Sequence, residues 1–255
     1  MRRLGVVALV LAAAVIAAPV RAADVALPPS YYPPATALPP AVYNWTAFYI
    51  GGNLGAGLLK DGFSQAVAAT AAPVSVSQPF SVSPAGVVGG FQIGADYQFS
   101  SALVAGVAVS GSAASLSGTS SIQLTNVVGP PAVGERMTSN PQLFGTATGR
   151  IGYALNTLLL YAKGGAAVMR VNYTQDQIVL LGITSATQVI TATRFGYTAG
   201  VGVEYAMTEN LSALLEYDFM GFGTNAYNFA ATPMQISSDL NTLVVGFNYR
   251  IPLAH

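Results

Sequence analysis

The sequence predicts an all-β fold: an eight-stranded antiparallel transmembrane β-barrel with short periplasmic turns and long extracellular loops. Three observations carry this expectation. The 255 residues are 52% hydrophobic and only 8% charged, with a mean hydropathy of +0.51, whereas ordinary soluble domains are about 25% charged. Beyond residue 20 no unbroken apolar stretch reaches the roughly 18 residues that a spanning helix needs. From Tyr43 onward, apolar side chains instead recur at every second position in segments about ten residues long, the period of a strand between two environments.

The elements follow in chain order. Arg2 and Arg3 precede an uncharged run from Leu4 to Val20 that ends at Arg21 and Ala22, which reads as a cleaved signal peptide over residues 1–22. Cleavage removes Arg2, Arg3 and Arg21, so 10 − 3 = 7 basic residues face 10 acidic ones, a net charge of −3. No basic patch of the kind a nucleic-acid binder displays remains, and nucleic acid is excluded as a partner. The chain has no Cys, so it has neither a disulfide framework nor a thiolate nucleophile or metal ligand. Residues 23–42 contain Pro28, Pro29, Pro33, Pro34, Pro39 and Pro40. These block helix and central strand, so the stretch is expected to be an extended periplasmic linker.

The barrel is expected over residues 43–255, with spanning segments at Trp45–Leu58, Val87–Phe99, Leu103–Ser115, Leu143–Leu155, Leu158–Tyr173, Arg194–Met207, Leu211–Gly221 and Leu243–Ile251. Phe99/Leu103, Leu155/Leu158 and Met207/Leu211 are joined by short turns. The longer connections, at 59–86, 116–142, 174–193 and 222–242, are assigned to extracellular loops, since outer-membrane barrels alternate connections in this way. Two of them also carry alternating β-forming residues, so part of the wall is expected to rise above the membrane as hairpins.

Charge placement tests the alternation, because Arg or Lys facing lipid at mid-bilayer costs about 2–4 kcal/mol. The period-2 pattern puts Asp96, Arg150, Lys163, Arg194, Glu204, Glu216, Asp218 and Arg250 on one side, with neighbours such as Ala95, Tyr97, Ile151, Val203 and Tyr205 on the other. Four positive and four negative charges are therefore expected to share the interior as a charge network that closes a narrow lumen. Arg170 has lipid-facing parity and is placed above the bilayer, near the extracellular rim. Trp45, Tyr97, Phe99, Tyr153, Tyr205 and Tyr249 lie near the periplasmic strand ends and are expected to form an aromatic girdle.

The segments YNWTAFYIGGNLGAG, GVVGGFQIGADYQF, TGRIGYALNTLLLYAKGGAA, GYTAGVGVEYAMTENLSALLEYDF and VVGFNYRI closely resemble the small outer-membrane β-barrel surface proteins of alphaproteobacteria. That is the porin-like immunogenic family related to the OmpA transmembrane barrel. The resemblance spans about residues 43 to 251 and rests on Trp45-Thr46 with Phe48-Tyr49, on Gly149-Arg150-Ile151-Gly152-Tyr153 and on Gly202-Val203-Glu204-Tyr205. It implies an eight-stranded barrel in the cell outer membrane with a structural, antigenic or host-contacting role. Where such proteins end their last strand on an aromatic residue, this chain carries Ile251.

Enzymatic chemistry is not expected. The single His is His255, on the terminal tail, so a His-based triad or a multi-His metal site cannot be assembled in the barrel. No cofactor is expected either. Haem capture would have to use Tyr173, Tyr227, Met137 or Met234, each of which also reads as a rim or packing residue. The expected function is that of a monomeric structural, surface-exposed protein contributing to envelope integrity and to host or environment contact through its loops. The expected partners are outer-membrane lipid and lipopolysaccharide, the barrel-assembly machinery and a host-surface ligand. The competing reading is a small-solute or haem-uptake porin.

Overall fold

The computed structural model describes residues 43–65, 80–124, 133–179, 183–229 and 232–252. The signal peptide over 1–22 and the linker over 23–42 lie outside the described residues. The strands are β1 (Ala47–Gln65), β2 (Phe80–Val82), β3 (Ala85–Gln98), β4 (Leu103–Leu124), β5 (Val133–Leu155), β6 (Leu158–Val179), β7 (Ile183–Ala206), β8 (Leu211–Phe229) and β9 (Thr232–Pro252). All pair antiparallel with their neighbours, and β1 pairs with β9 from Ala47↔Pro252 to Gln65↔Met234, which closes the ring.

Nine strands make eight wall positions. β3 pairs with β1 up to Leu58↔Ala85, and β2 continues in the same register from Asp61↔Val82. The interruption is Ser83-Pro84, where proline has no N–H to give to the ladder. The Pro84 carbonyl still accepts from Leu59 N at 2.9 Å, so the wall bends without parting from β1.

Three short connections gather at the end of the barrel that carries both described termini. Asn156 turns β5 into β6 with φ 57, a left-handed conformation that Asn tolerates better than most residues. Ser100 Oγ accepts from Leu103 N at 3.0 Å, and Thr208 Oγ1 accepts from Leu211 N at 3.0 Å. Each hydroxyl fixes a turn locally.

Strands are 19 to 24 residues long apart from β2 and β3, about twice what a bilayer requires. The outward residues show where the bilayer ends. On β1 they run Phe48, Ile50, Gly52, Leu54, Ala56, Leu58 and then Lys60; on β6 they run from Leu158 to Val168 and then Arg170; on β9 from Ile251 to Leu243 and then Asn241 and Asp239. About eleven residues of apolar exterior, at roughly 3.3 Å each and tilted near 40°, match the ~25 Å lipid band of outer-membrane barrels. Arg170 is exposed just beyond that band.

Above the band the sidedness inverts. Outward positions become Thr, Ser, Asn and charged residues such as Thr138, Asn140, Asn172, Thr191 and Asp239, while inward positions become mostly apolar, with Asp61, Ser139, Arg194 and Ser238 buried among them. Leu59, Phe63, Leu116, Met137, Val171, Met234, Ile236 and Leu240 are buried in one interior cluster with Phe144, Met169, Met220 and Phe222. This upper part has the pattern of a water-soluble β-domain, with a dry core and a wet surface. Among the described residues, most of those assigned to loops at 59–86, 116–142, 174–193 and 222–242 are therefore strand. Outward Ser and Thr residues such as Thr138 and Thr191 are the solvent face of a continuing wall, and that composition imitates a loop.

Candidate functional site

The interior of the membrane-embedded half is the candidate site, and β-alternation builds it by bringing every second side chain of each strand to the axis. At its base Trp45, Val104, Ala154, Leu159, Tyr161 and Ala206 form a small apolar cluster. Trp45 is completely buried, which corrects its placement in the aromatic girdle. Its indole N–H donates to the Asn156 carbonyl at 2.9 Å, its own carbonyl accepts from Arg250 Nη2 at 2.7 Å, and the Arg250 guanidinium lies 4.8 Å from its ring. The segment before β1 thus folds under the barrel mouth, and a large ring with one donor fits that lid better than a lipid boundary. Tyr43 follows it inward, its backbone N–H donating to Asn156 Oδ1 at 2.9 Å. Partial burial pushes the Tyr43 phenol above its ordinary value, with the Arg250 charge opposing. Tyr97, Phe99, Tyr153, Tyr205 and Tyr249 all face outward and are exposed.

Over this lid sits a four-charge layer. Arg150 donates to both oxygens of Asp96, through Nε at 2.7 Å and through Nη2, and from Nη1 to Glu204 at 3.2 Å. Arg250 donates to Glu204 at 2.9 Å and to Asp96 at 2.6 Å. Each cation touches both anions, so the layer is a closed square with no net charge. Ser212 and Asn248 donate to the same Glu204 oxygen at 2.5 and 2.9 Å, and Gln92 donates to Asn248. The Arg150 guanidinium lies 4.6 Å from the ring centre of Tyr49 and 5.0 Å from that of Tyr161. All four charged residues are buried. Such burial is tolerable only because each ion has several partners at good geometry.

A second group stands higher. Lys163 Nζ contacts Glu216 at 2.6 Å and Asp218 at 3.0 Å, and Tyr161 OH donates to Glu216 at 2.7 Å.

Arg194 belongs to neither group, and this corrects its placement in one shared network. It lies above the lipid band within the apolar core, where Nη1 donates to Tyr173 OH at 3.0 Å and Ser238 Oγ at 2.6 Å, and Nη2 donates to the Gly223 and Ile236 carbonyls, both at 2.8 Å. Its anionic neighbour is Asp61, reached through Ser238, while Ser139 holds the other Asp61 oxygen. Burial pushes the Asp61 carboxyl above the usual carboxylate value against the pull of its two Ser donors and the Arg194 charge, and burial also pushes the Tyr173 phenol up to about 12.

Sequence reasoning passed over Asp61 because it fell in a stretch assigned to a loop. The available signal was its parity with Leu59 and Phe63. Tyr49, Tyr161, Gln92, Ser212 and Asn248 also belong to the interior, and the same alternation marks them.

An apolar belt around a ring of strands, with charges turned inward, defines an integral β-barrel of an outer membrane. The chain belongs to the outer membrane protein beta-barrel domain family, whose description matches residues 8–250. It is 30% identical over 223 residues to the 31 kDa outer-membrane immunogenic protein of Brucella melitensis, covering 84% of this chain and 87% of that one. It is also 30% identical over 106 residues to the 22 kDa outer membrane protein of Rhizobium leguminosarum, covering 42% of this chain and 46% of the relative. Among solved structures, the outer membrane protein OprG of Pseudomonas aeruginosa superposes with a TM-score of 0.47 at 10% identity, over 83% of this chain and 99% of that one.

Proposed function

We propose that this outer-membrane protein is structural and surface-exposed. In this reading a closed transmembrane barrel carries its extracellular strands and hairpins outward for contact with host or environment, within a setting of lipid, lipopolysaccharide and the machinery that assembled it. The observation that carries the reading is the Asp96–Arg150–Glu204–Arg250 square lying over Trp45. It occupies the axis with hydrogen-bonded, mutually neutralised charges, an arrangement that resists hydration far more than a lining of free charges would. Open aqueous passages belong to barrels of about 16 strands. The relatives named as immunogenic outer-membrane proteins agree with a surface role.

Catalysis finds no support in the same interior, whose carboxylates are engaged by Arg150, Arg250 and Lys163. Haem uptake finds little. Met137, Tyr173 and Met234 are all core residues with at most 3% exposure, so a macrocycle would have to displace the packing that holds the upper barrel together.

Single-channel recording on the purified, lipid-reconstituted protein tests the reading. The expected trace has no large stable conductance, and stepwise currents of general-porin size would overturn it.

A further inference from the structure

The upper half of the wall is not a continuous ring. Pairing between β7 and β8 stops at Tyr197↔Gly221. Beyond it, β7 follows β6 alone as far as Val179↔Ile183, and β8 follows β9 alone from Thr224↔Ser237 to Phe229↔Thr232. On the opposite side β3 and β4 pair no further than Ala85↔Ser117. Past that point β4 stays with β5, from Gly118↔Ser139 to Leu124↔Val133, and β2 with β1. Both partings coincide with irregular backbone. One has the β8–β9 register shift at Gly221/Thr224 with Gly223 at φ 62; the other has Pro84 and the β4–β5 shift at Ala113/Gly118.

Two four-stranded sheets therefore rise from the lipid band, β4-β5-β6-β7 and β8-β9-β1-β2. Met137, Val171, Tyr173 and Ala192 of the first pack in one cluster with Phe63, Val82, Met234 and Ile236 of the second. Apolar packing of this kind is non-directional and leaves the relative setting of two faces loosely fixed. Edge-on and tilted ring contacts of Tyr173 with Phe63 and Tyr227 cross it, and among the described residues a cluster of hydrogen bonds around Arg194 and Asp61 crosses it as well. Arg194 on β7 reaches Gly223 on β8 and both Ile236 and Ser238 on β9, Tyr173 on β6 shares a hydrogen bond with Ser238, and Ser139 on β5 donates to Asp61 on β1. The Gly223 carbonyl that Arg194 caps belongs to the stretch of β8 that has left β7.

We propose that the extracellular half is a two-sheet lobe able to part along the β7/β8 and β2/β4 seams, and that Arg194 is the latch that holds it shut. Opening would change the spacing of the hairpin tips carried by the two sheets without disturbing the barrel in the membrane. The proposal does not rest on the surface-contact reading, since a lobe of this build opens or stays shut whatever its tips touch.

Hydrogen exchange followed by mass spectrometry on the mature protein in lipid bilayers reads the latch directly. Arg194→Met keeps most of the side-chain bulk and removes every donor. It is expected to speed exchange at least about tenfold in residues 183–194 and 222–229, and to leave 197–206 and 211–220 unchanged. Asp61 and Ser139 already touch across the sheets, and the chain has no other Cys. An oxidised Asp61→Cys/Ser139→Cys bridge in the Arg194→Met background is therefore expected to restore protection above the membrane. Unchanged exchange in the upper strands, or an equal rise in upper and membrane strands, would overturn the proposal. If Arg194→Met does not insert, reduced and oxidised forms of the Cys pair are compared with Arg194 in place. Oxidation should then slow the upper strands alone, and equal rates in the two forms would show that the two sheets do not part along this seam, which would overturn the proposal.

Discussion

Asp61 is the residue whose environment makes the clearest demand. Its carboxylate accepts from Ser139 and Ser238, yet Arg194 reaches it only through the second hydroxyl. Burial outweighs these contacts and raises its affinity for a proton above the ordinary value of 3.8, with Asp239 adding to the rise and Tyr173 neutral over the working range. A carboxyl with a raised folded-state pKa favours folding when protonated, so its contribution is fully present below the unfolded value and is lost as pH rises through the folded one. The upper lobe should accordingly resist guanidinium better at pH 5 than at pH 8, read by near-UV circular dichroism, to which Tyr173 contributes. Asp61→Asn should flatten that slope. A wild-type midpoint that rises with pH would contradict the assignment.

At the scale of elements, three tyrosines lie directly across a strand pair from a glycine: Tyr49↔Gly94, Tyr161↔Gly202 and Tyr197↔Gly221. In each pair a Cβ on the glycine would run into the tyrosine ring. Rings laid over bare backbone stiffen the ladder and, for Tyr49 and Tyr161, set the two faces that hold Arg150. Gly149 looks similar in sequence but faces lipid beside a groove of about 650 Å³, and a Cβ there meets nothing within 4 Å. Gly202→Ala should cost about 1–3 kcal/mol by overpacking, whereas Gly149→Ala should be neutral or stabilise by up to about 1 kcal/mol because strand glycine is entropically costly. Urea midpoints in lipid vesicles would separate the two, and equal losses would show that the rings do not matter.

Alternation exposed the membrane belt and its inward charges because lipid punishes a misplaced charge, so Asp96, Arg150 and Glu204 had one allowed parity. The parity of Trp45 with Ala47 and Tyr49 pointed inward, but aromatics at a strand end suit a lid as well as a girdle, and composition alone could not choose. The upper strands were hidden because no lipid acts on them. There a Ser- or Thr-rich outer face satisfies water equally as strand or loop, and only the pairing partner decides.

For the whole molecule, two solvents hold two halves of one wall. The lower half is fixed by the bilayer, which leaves no unpaired backbone group an alternative to the closed ladder. The upper half depends on burying Leu59, Phe63, Met137, Ile236 and their neighbours away from water, an interaction that denaturant weakens in proportion to the surface exposed. Continuous strands join the halves, but along β7/β8 and β2/β4 the ladder that would transmit cooperativity across the ring is missing. Unfolding should therefore proceed in two steps. Trp45 is the only Trp in the chain and sits buried beneath the charge square, so its emission reports the membrane half without interference. In a guanidinium titration in lipid vesicles, amide protection in residues 183–194 should be lost at clearly lower denaturant than the red shift of Trp45. A single midpoint shared by both probes would mean that the two halves melt as one body, and that strand continuity couples them more strongly than the seams divide them.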